Sequence, residues 1–272
     1  MKTPSLDQVG DLIAAVAAEK ILPRFQQLSD DDIDDKGGGD PVTIADIEAE
    51  QALTPQLRDL LPGSKVIGEE AVHETPALLD LLAGDDPVWI IDPVDGTKNF
   101  TQGSGHFVVI VALVRNRETI AGWIYQPTEQ RLTTAEKGSG AVDNGQPLKT
   151  SPVPFISNMT AAIHTGNIVK EQRPALEAQA KKFQKNRPLY CAGMVYQHLA
   201  RGVLDCAFFG RTKPWDHAAG ALILEEAGGL TAFTNDNSRY QPDRGDRLGL
   251  LAAGSHDVWQ NVRRDIIGDL VF

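Results

Sequence analysis

The chain has 272 residues, 42% of them hydrophobic and 23% charged, which suffices to bury a full core as one large domain or two small ones and excludes a disordered chain. Its 26 basic against 37 acidic residues give a net charge of -11, which disfavours nonspecific binding to nucleic acid or anionic lipid. No apolar stretch is long enough to cross a bilayer or follows the pattern of a secretory signal, and Cys191 and Cys206 lie in core-like segments, so a soluble cytoplasmic protein with free thiols is expected.

From Ser5 to about Leu28, Leu6, Val9, Leu12, Ile13, Val16 and Ile21 recur at helical spacing, with Ser5 as N-cap and Pro23 as the residue that bends or ends the helix. The acidic, glycine-rich run SDDDIDDKGGGD, residues 29–40, reads as a mobile loop. A second helix is expected from about Thr43 to Leu61, closed by Pro62 and Gly63, and then a short strand around Val66 and Ile67 that ends at GEE. Residues 107–142 hold β-rich segments separated by short polar turns, the pattern of an antiparallel sheet. After about Thr150 strands and helices alternate: a strand near 160–164, helices near 173–185 and 195–201, a strand at 206–209, a helix from about His217 to Ala227 and a last helix from Ser255. The expectation is an α+β half, residues 1–150, followed by an α/β half, residues 151–272.

The stretch WIIDPVDGTKNF, residues 89–100, carries the chemistry. A strand that stops at Asp92 on the edge of a sheet, a turn forced by Pro93 and completed by Asp95 and Gly96, brings two carboxylates into one small volume. Their repulsion raises a pKa and destabilises the fold unless a cation lies between them, and hard oxygen ligands suit Mg²⁺. Gly96 and Thr97 would then offer backbone N–H groups to a phosphate beside the metal. The bland alternative is an Asp-rich turn that caps its own backbone. DPVTIAD, with Asp40, Thr43 and Asp46, GEE, with Glu69 and Glu70, and WDHAAGALILEEAGG, with Asp216, each have bland readings as well: Asp46 as a first-turn charge, the Glu pair as a solvated turn, Asp216 as an N-cap.

Taken together and in order from about Val42 to Gly229, these motifs resemble those of the inositol monophosphatase family. The resemblance implies a layered α-β-α-β-α sandwich with the active site at the junction of the two halves. It further implies a Mg²⁺-dependent phosphomonoesterase, commonly homodimeric and lithium-sensitive. It assigns Glu69, Asp92, Asp95, Asp216 and the Val94 carbonyl to the metal, with Glu70 behind them, and Asp46 and Thr97 to a dyad that helps deprotonate a metal-bound water. Gly96, Thr97, Asp95 and Asp216 are expected to meet the substrate, and Arg211 and Lys213 are candidates because GRTKPWD leads straight into Asp216. His217 and Lys98 are weaker candidates; His73, His106, His164, His198 and His256 share no metal-ligand spacing and read as structural, and Trp89 and Trp215 as packing beneath the site.

The substrate stays open among inositol phosphate, histidinol phosphate, a sugar bisphosphate and an adenosine bisphosphate. A regulatory binding protein, for instance on RNA machinery, with incidental phosphatase activity is the alternative of a different class. Family members that prefer inositol phosphate carry an acidic residue seven positions before the aspartate of the WD motif, where this chain has Phe209. That departure, with the charge of Arg211 and Lys213, points away from a polyol and toward a flatter or more anionic ester.

Overall fold

Ser5 opens the first helix, as its sequence position implies: its hydroxyl accepts from Gln8 N at 3.1 Å, and the Gln8 side chain reaches back to Ser5 N. The computed structural model describes residues 3–150, 153–166, 168–243, 247–270 and 272. Helix α1, Leu6–Val16, loosens into a wider turn and ends against Pro23. The segment read as a mobile loop is instead a hairpin, in which β1, Ile33–Asp35, pairs antiparallel with β2, Pro41–Thr43. The Asp35 carboxylate accepts from the backbone of Gly37, Gly39 and Asp40, and so ties the glycine turn that polar composition alone made look structureless. Thr43 then caps α2, Ile44–Leu60.

Next come β3, Lys65–Gly68, the short α3, Glu69–Glu74, β4, Val88–Asp95, α4, Thr97–Thr101, β5, Val108–Arg115, β6, Glu118–Gln126, β7, Arg131–Glu136, β8, Ala141–Asp143, and β9, Gln146–Pro147. Strands β3 to β9 form one seven-stranded sheet in chain order, antiparallel except for the parallel β3–β4 pair. Strand β4 is therefore internal and not an edge, and it runs on through Asp95 instead of stopping at Asp92. The second half supplies β10, Thr160–Ile163, α5, Arg173–Ala180, β11, Lys185–Asn186, α6, Ala192–Ala200, β12, Cys206–Arg211, α7, Pro214–Glu226, β13, Leu230–Phe233, β14, Leu248–Ala253, and α8, His256–Val262. Their sheet runs β11-β10-β12-β14-β13, with parallel pairs at β10 only. The expected boundary after residue 150 abuts residues 151–152, which lie outside the described residues.

Alternation along the strands sets the layers. Trp89 and Ile91 of β4 face α1 and α2, whereas Val88 and Ile90 face α6 and α7. On the far side of those helices Ala207, Phe209, Leu250 and Ala252 close the same core, and the opposite face of the smaller sheet, with Cys206, Phe208 and Leu251, packs on α5 and α8. The result is the five-layer α-β-α-β-α sandwich. A helix pressed between two sheets must be apolar all round, which explains why α7 is buried from Pro214 to Ala221 except at Asp216. Its small residues let the layers meet: a Cβ on Gly220 would come within 2.2 Å of the Tyr196 ring.

Candidate active site

The acidic residues of β4 share a face because of a bulge. Residues three apart on a regular strand point to opposite sides. Between Asp92, paired with Ile110, and Asp95, paired with Val108, the register shifts, so β4 carries one more residue than β5 and both carboxylates turn to the same side. Pro93 sits in the interruption, where its missing N–H costs no ladder bond. The Asp92 carboxylate accepts from Val94 N at 3.1 Å. Asp95 is held by the start of α6: Oδ1 accepts from Ala192 N at 3.1 Å, and Oδ2 from Gly193 N at 2.6 Å and from the Cys191 thiol at 3.2 Å. Asp216 enters from the first turn of α7, three residues into the helix and not at its N-cap, the position of Lys213. One oxygen from each of Asp92, Asp95 and Asp216 lies within 4.8 Å of the others.

Burial pushes Asp92 and Asp216 well above the ordinary carboxylate range, and the neighbouring carboxylates add to it. Asp95 is pushed by burial to about 6, although its three hydrogen bonds pull the other way. Among the described residues this is the one group of three or more such side chains that could hold a metal ion. The donor set is all oxygen, with Asp92 and Asp95 buried and Asp216 half-buried, which fits a hard divalent cation.

Two further carboxylate clusters flank the cradle. The Thr43 N–H and hydroxyl bind Asp46 Oδ2 at 2.8 and 2.5 Å, so Asp46 completes the cap of α2, and its Oδ1 lies 3.2 Å from the Thr97 hydroxyl. The same hydroxyl is 2.8 Å from the Val94 carbonyl, and its single proton serves one acceptor at a time. Burial raises Asp46 to about 6. At the start of α3, Glu50 from α2 accepts from the backbone N–H of Glu70 and of Ala71, each at 2.9 Å, and fixes the Glu69–Glu70 turn. Lys36 of the β1–β2 hairpin reaches Glu69 Oε1 and Glu70 Oε1, each at 2.7 Å, with its side chain almost fully buried. Burial works against the ammonium, but Glu69 and Glu70 outweigh it and raise its pKa. Glu69 is thus held by Lys36 while its charge still acts on Asp92, Asp95 and Asp216.

The model of the inositol monophosphatase family matches residues 5–263. The chain belongs to that family. A fructose-1,6-bisphosphatase/inositol-1-monophosphatase of Thermotoga maritima is 32% identical over 201 residues, 74% of each chain. A Nus factor SuhB of Xylella fastidiosa is 27% identical over 93% of this chain and 91% of its own. The solved structure of a Thermotoga maritima IMPase superposes with a TM-score of 0.81 at 26% identity, covering 98% and 99% of the two chains. As a member of the inositol monophosphatase family the chain is a phosphomonoesterase with that family's sandwich fold.

Against that family's motifs, several placements were not foreseeable from the sequence. Lys36 and Glu50, and the Cys191–Gly193 turn that grips Asp95, carry no motif of their own. Gly193 is required there, since a Cβ would come 2.5 Å from Val108. Gly96, at φ +92°, leads from Asp95 into α4, and a Cβ on it would meet the His106 carbonyl at 2.7 Å. Arg211 is at the exposed end of β12, and the Lys213 ammonium lies 5.7 Å from the centre of the Trp215 ring. Trp89 is packed with Trp123 in the core that α1 and α2 cover, and His217 is buried, its Nδ1 3.0 Å from the Tyr196 hydroxyl. Phe209 does not present an open ring: it is buried, with near-parallel rings of Tyr196 at 5.5 Å and His164 at 6.0 Å.

Proposed function

We propose that the chain hydrolyses a small phosphate monoester with Mg²⁺ held by Asp92, Asp95, Asp216, Glu69 and the carbonyl of Val94, at the junction of residues 1–150 and 151–272. The observation that carries this is the bulge that turns Asp92 and Asp95 to one face, against Asp216. When bound, the divalent ion activates the attacking water, neutralises phosphate oxygens and stabilises the leaving alkoxide. The chain's own residues position and move the proton. Thr43 fixes Asp46, and Asp46 accepts the Thr97 proton, so that the Thr97 oxygen is free to accept the proton of the attacking water. Burial of Asp46 brings its basicity closer to neutral pH, where such a base works best. The N–H groups of Gly96 and Thr97 are assigned to the phosphate, Asp95 and Asp216 to the hydroxyls of the substrate, and Arg211 and Lys213 to its anionic part. A cytoplasmic homodimer inhibited by lithium completes the reading by resemblance to the family.

The test is a panel of inositol, histidinol, sugar and adenosine phosphates with Mg²⁺ and with a chelator: hydrolysis of at least one, abolished by chelation, is expected. A second reading, a regulatory protein with incidental activity, is favoured by the name of the Xylella relative. A pull-down with Asp216→Asn protein separates the two, because a regulator keeps its partner when hydrolysis is lost.

Melting provides an independent check of the cradle. Folded-state pKa values above the ordinary ones mean that the metal-free fold binds protons more tightly than the unfolded chain. These carboxylates therefore contribute a stability that is full below about pH 4 and is lost as pH rises through the folded values, about 6 for Asp46 and Asp95 and about 8 for Glu70, while buried His164 and His217, lowered to about 4 and 3, act in the opposite sense below about pH 6.5. Metal-free protein is expected to melt lower at pH 8 than at pH 5. Mg²⁺ at a hundredfold excess over Kd adds about 2.7 kcal/mol, on the order of 5–10 °C for a chain of this length. Melting curves that ignore both pH and millimolar-range Mg²⁺ would remove the metal from these carboxylates.

A further inference from the structure

A chain of aromatic contacts links residues that adjoin the acidic site in the sequence. Cys191 donates its thiol proton to Asp95, and Tyr190 precedes it in the chain. The backbone of Tyr190 is also tied to the helix that starts at Thr97: Asn99 Nδ2 is 3.1 Å from the Leu189 carbonyl and 3.3 Å from that of Tyr190. The Tyr190 ring meets the His164 ring edge to face at 5.5 Å, and His164 lies parallel to Phe209, with an interplanar angle of 7°. Phe209 is backed by Tyr196 and reaches His217, next to Asp216, at 4.7 Å. The contacts thus link the chain neighbour of Cys191, which holds Asp95, to the chain neighbour of Asp216.

Two features of these contacts are unexplained by packing alone. Tyr190 is 68% exposed, and its backbone is left-handed at φ +52°, a conformation that a bulky residue rarely adopts and that its neighbours must enforce. His164 has a buried Nε2 without a hydrogen-bond partner, so these contacts include one polar position that the fold itself does not use. Burial also lowers the His164 pKa to about 4, which keeps the ring uncharged at neutral pH. Polyol hydroxyls set against the exposed Tyr190 ring face would find no acceptor there, whereas a flat ring gains stacking contact.

We propose that Tyr190, supported by His164, is a stacking platform for the leaving group, and that the enzyme prefers phosphate monoesters whose alcohol carries a flat aromatic ring. The inference rests on the phosphatase reading of the acidic site. In the reaction the ester P–O bond breaks, a P–O bond to water forms and a water proton passes to the leaving oxygen, so the products are inorganic phosphate and the ring-bearing alcohol.

The test compares kcat/KM for 2-phenylethyl phosphate and 2-cyclohexylethyl phosphate, primary esters of equal carbon number that differ in a flat against a puckered ring. A preference of about tenfold for the flat ring is expected, in line with stacking on a single aromatic side chain. Tyr190→Ala should bring the ratio close to one, and Tyr190→Phe should keep it. A ratio near one in the unsubstituted enzyme, or a ratio that survives Tyr190→Ala, overturns the proposal; a merely structural Tyr190 would lower both rates and leave the ratio alone. Adenosine 2′-monophosphate should exceed inositol 1-phosphate, and the reverse order also overturns it. Cleavage of β-glycerophosphate but of neither ring ester defeats this inference alone, whereas cleavage of no ester with Mg²⁺ defeats the phosphatase reading too.

Discussion

Asp92→Asn and Asp216→Asn are each expected to lower turnover with Mg²⁺ by about a thousandfold or more. A lost ligand removes several kcal/mol of transition-state charge stabilisation, and about 4 kcal/mol corresponds to that factor in rate. The same substitutions should leave the metal-free fold as stable as before or more so, because each removes a buried charge that burial and its neighbours already disfavour. Activity and metal-free melting temperature should therefore move in opposite directions, a combination that simple misfolding cannot produce. Asp95→Asn should be as inactive but less stable than these two, since a carboxamide cannot accept from Ala192, Gly193 and Cys191 as the carboxylate does. Near-normal kcat with Mg²⁺ in any of the three would remove that residue from the site.

Thr97→Ala is expected to lower kcat by about 10²- to 10⁴-fold, the usual range for help from a positioned proton acceptor, with Mg²⁺ affinity nearly unchanged. Asp46→Asn should produce a loss of similar size. It should also cost up to about 1 kcal/mol of stability, because Asp46 completes the cap of α2 as well as reaching Thr97. If the two act as one unit, the double variant loses little more rate than either single one. Additive losses would break the pair, and parallel losses of rate and Mg²⁺ binding in Thr97→Ala would make Thr97 part of the metal site instead.

Most of the architecture could be read from local signals. Ser5 and Thr43 cap helices because a hydroxyl three residues before a Gln or Asp has a reciprocal partner built into the sequence. The unbroken apolar run Val88 to Ile91 likewise marks a strand, though its split between two cores shows only in the fold. What escaped depends on partners distant in the chain. The β4 bulge exists only against the register of β5, so a turn at Asp92 was the simpler reading of the same residues. Lys36 stood in a glycine-rich run that composition marks as loop, and its function emerges only where the hairpin meets Glu69 and Glu70, 33 and 34 residues away. Phe209 was read as a bare ring at the substrate because nothing in the sequence announces that it is buried and stacked with His164 and Tyr196. Asp216, taken as an N-cap by the bland reading, is displaced inward by Pro214, which starts α7 earlier than the periodicity suggests.

That the carboxylates gathered by the β4 bulge hold a divalent ion for phosphate ester hydrolysis can be checked by following inorganic phosphate release from the ester panel while Mg²⁺ is titrated into metal-free protein. No release without added metal, saturable activation as Mg²⁺ rises, and loss of that activation in Asp92→Asn and Asp216→Asn are expected. Release at full rate in excess chelator, or activation by Mg²⁺ that survives either substitution, would contradict it.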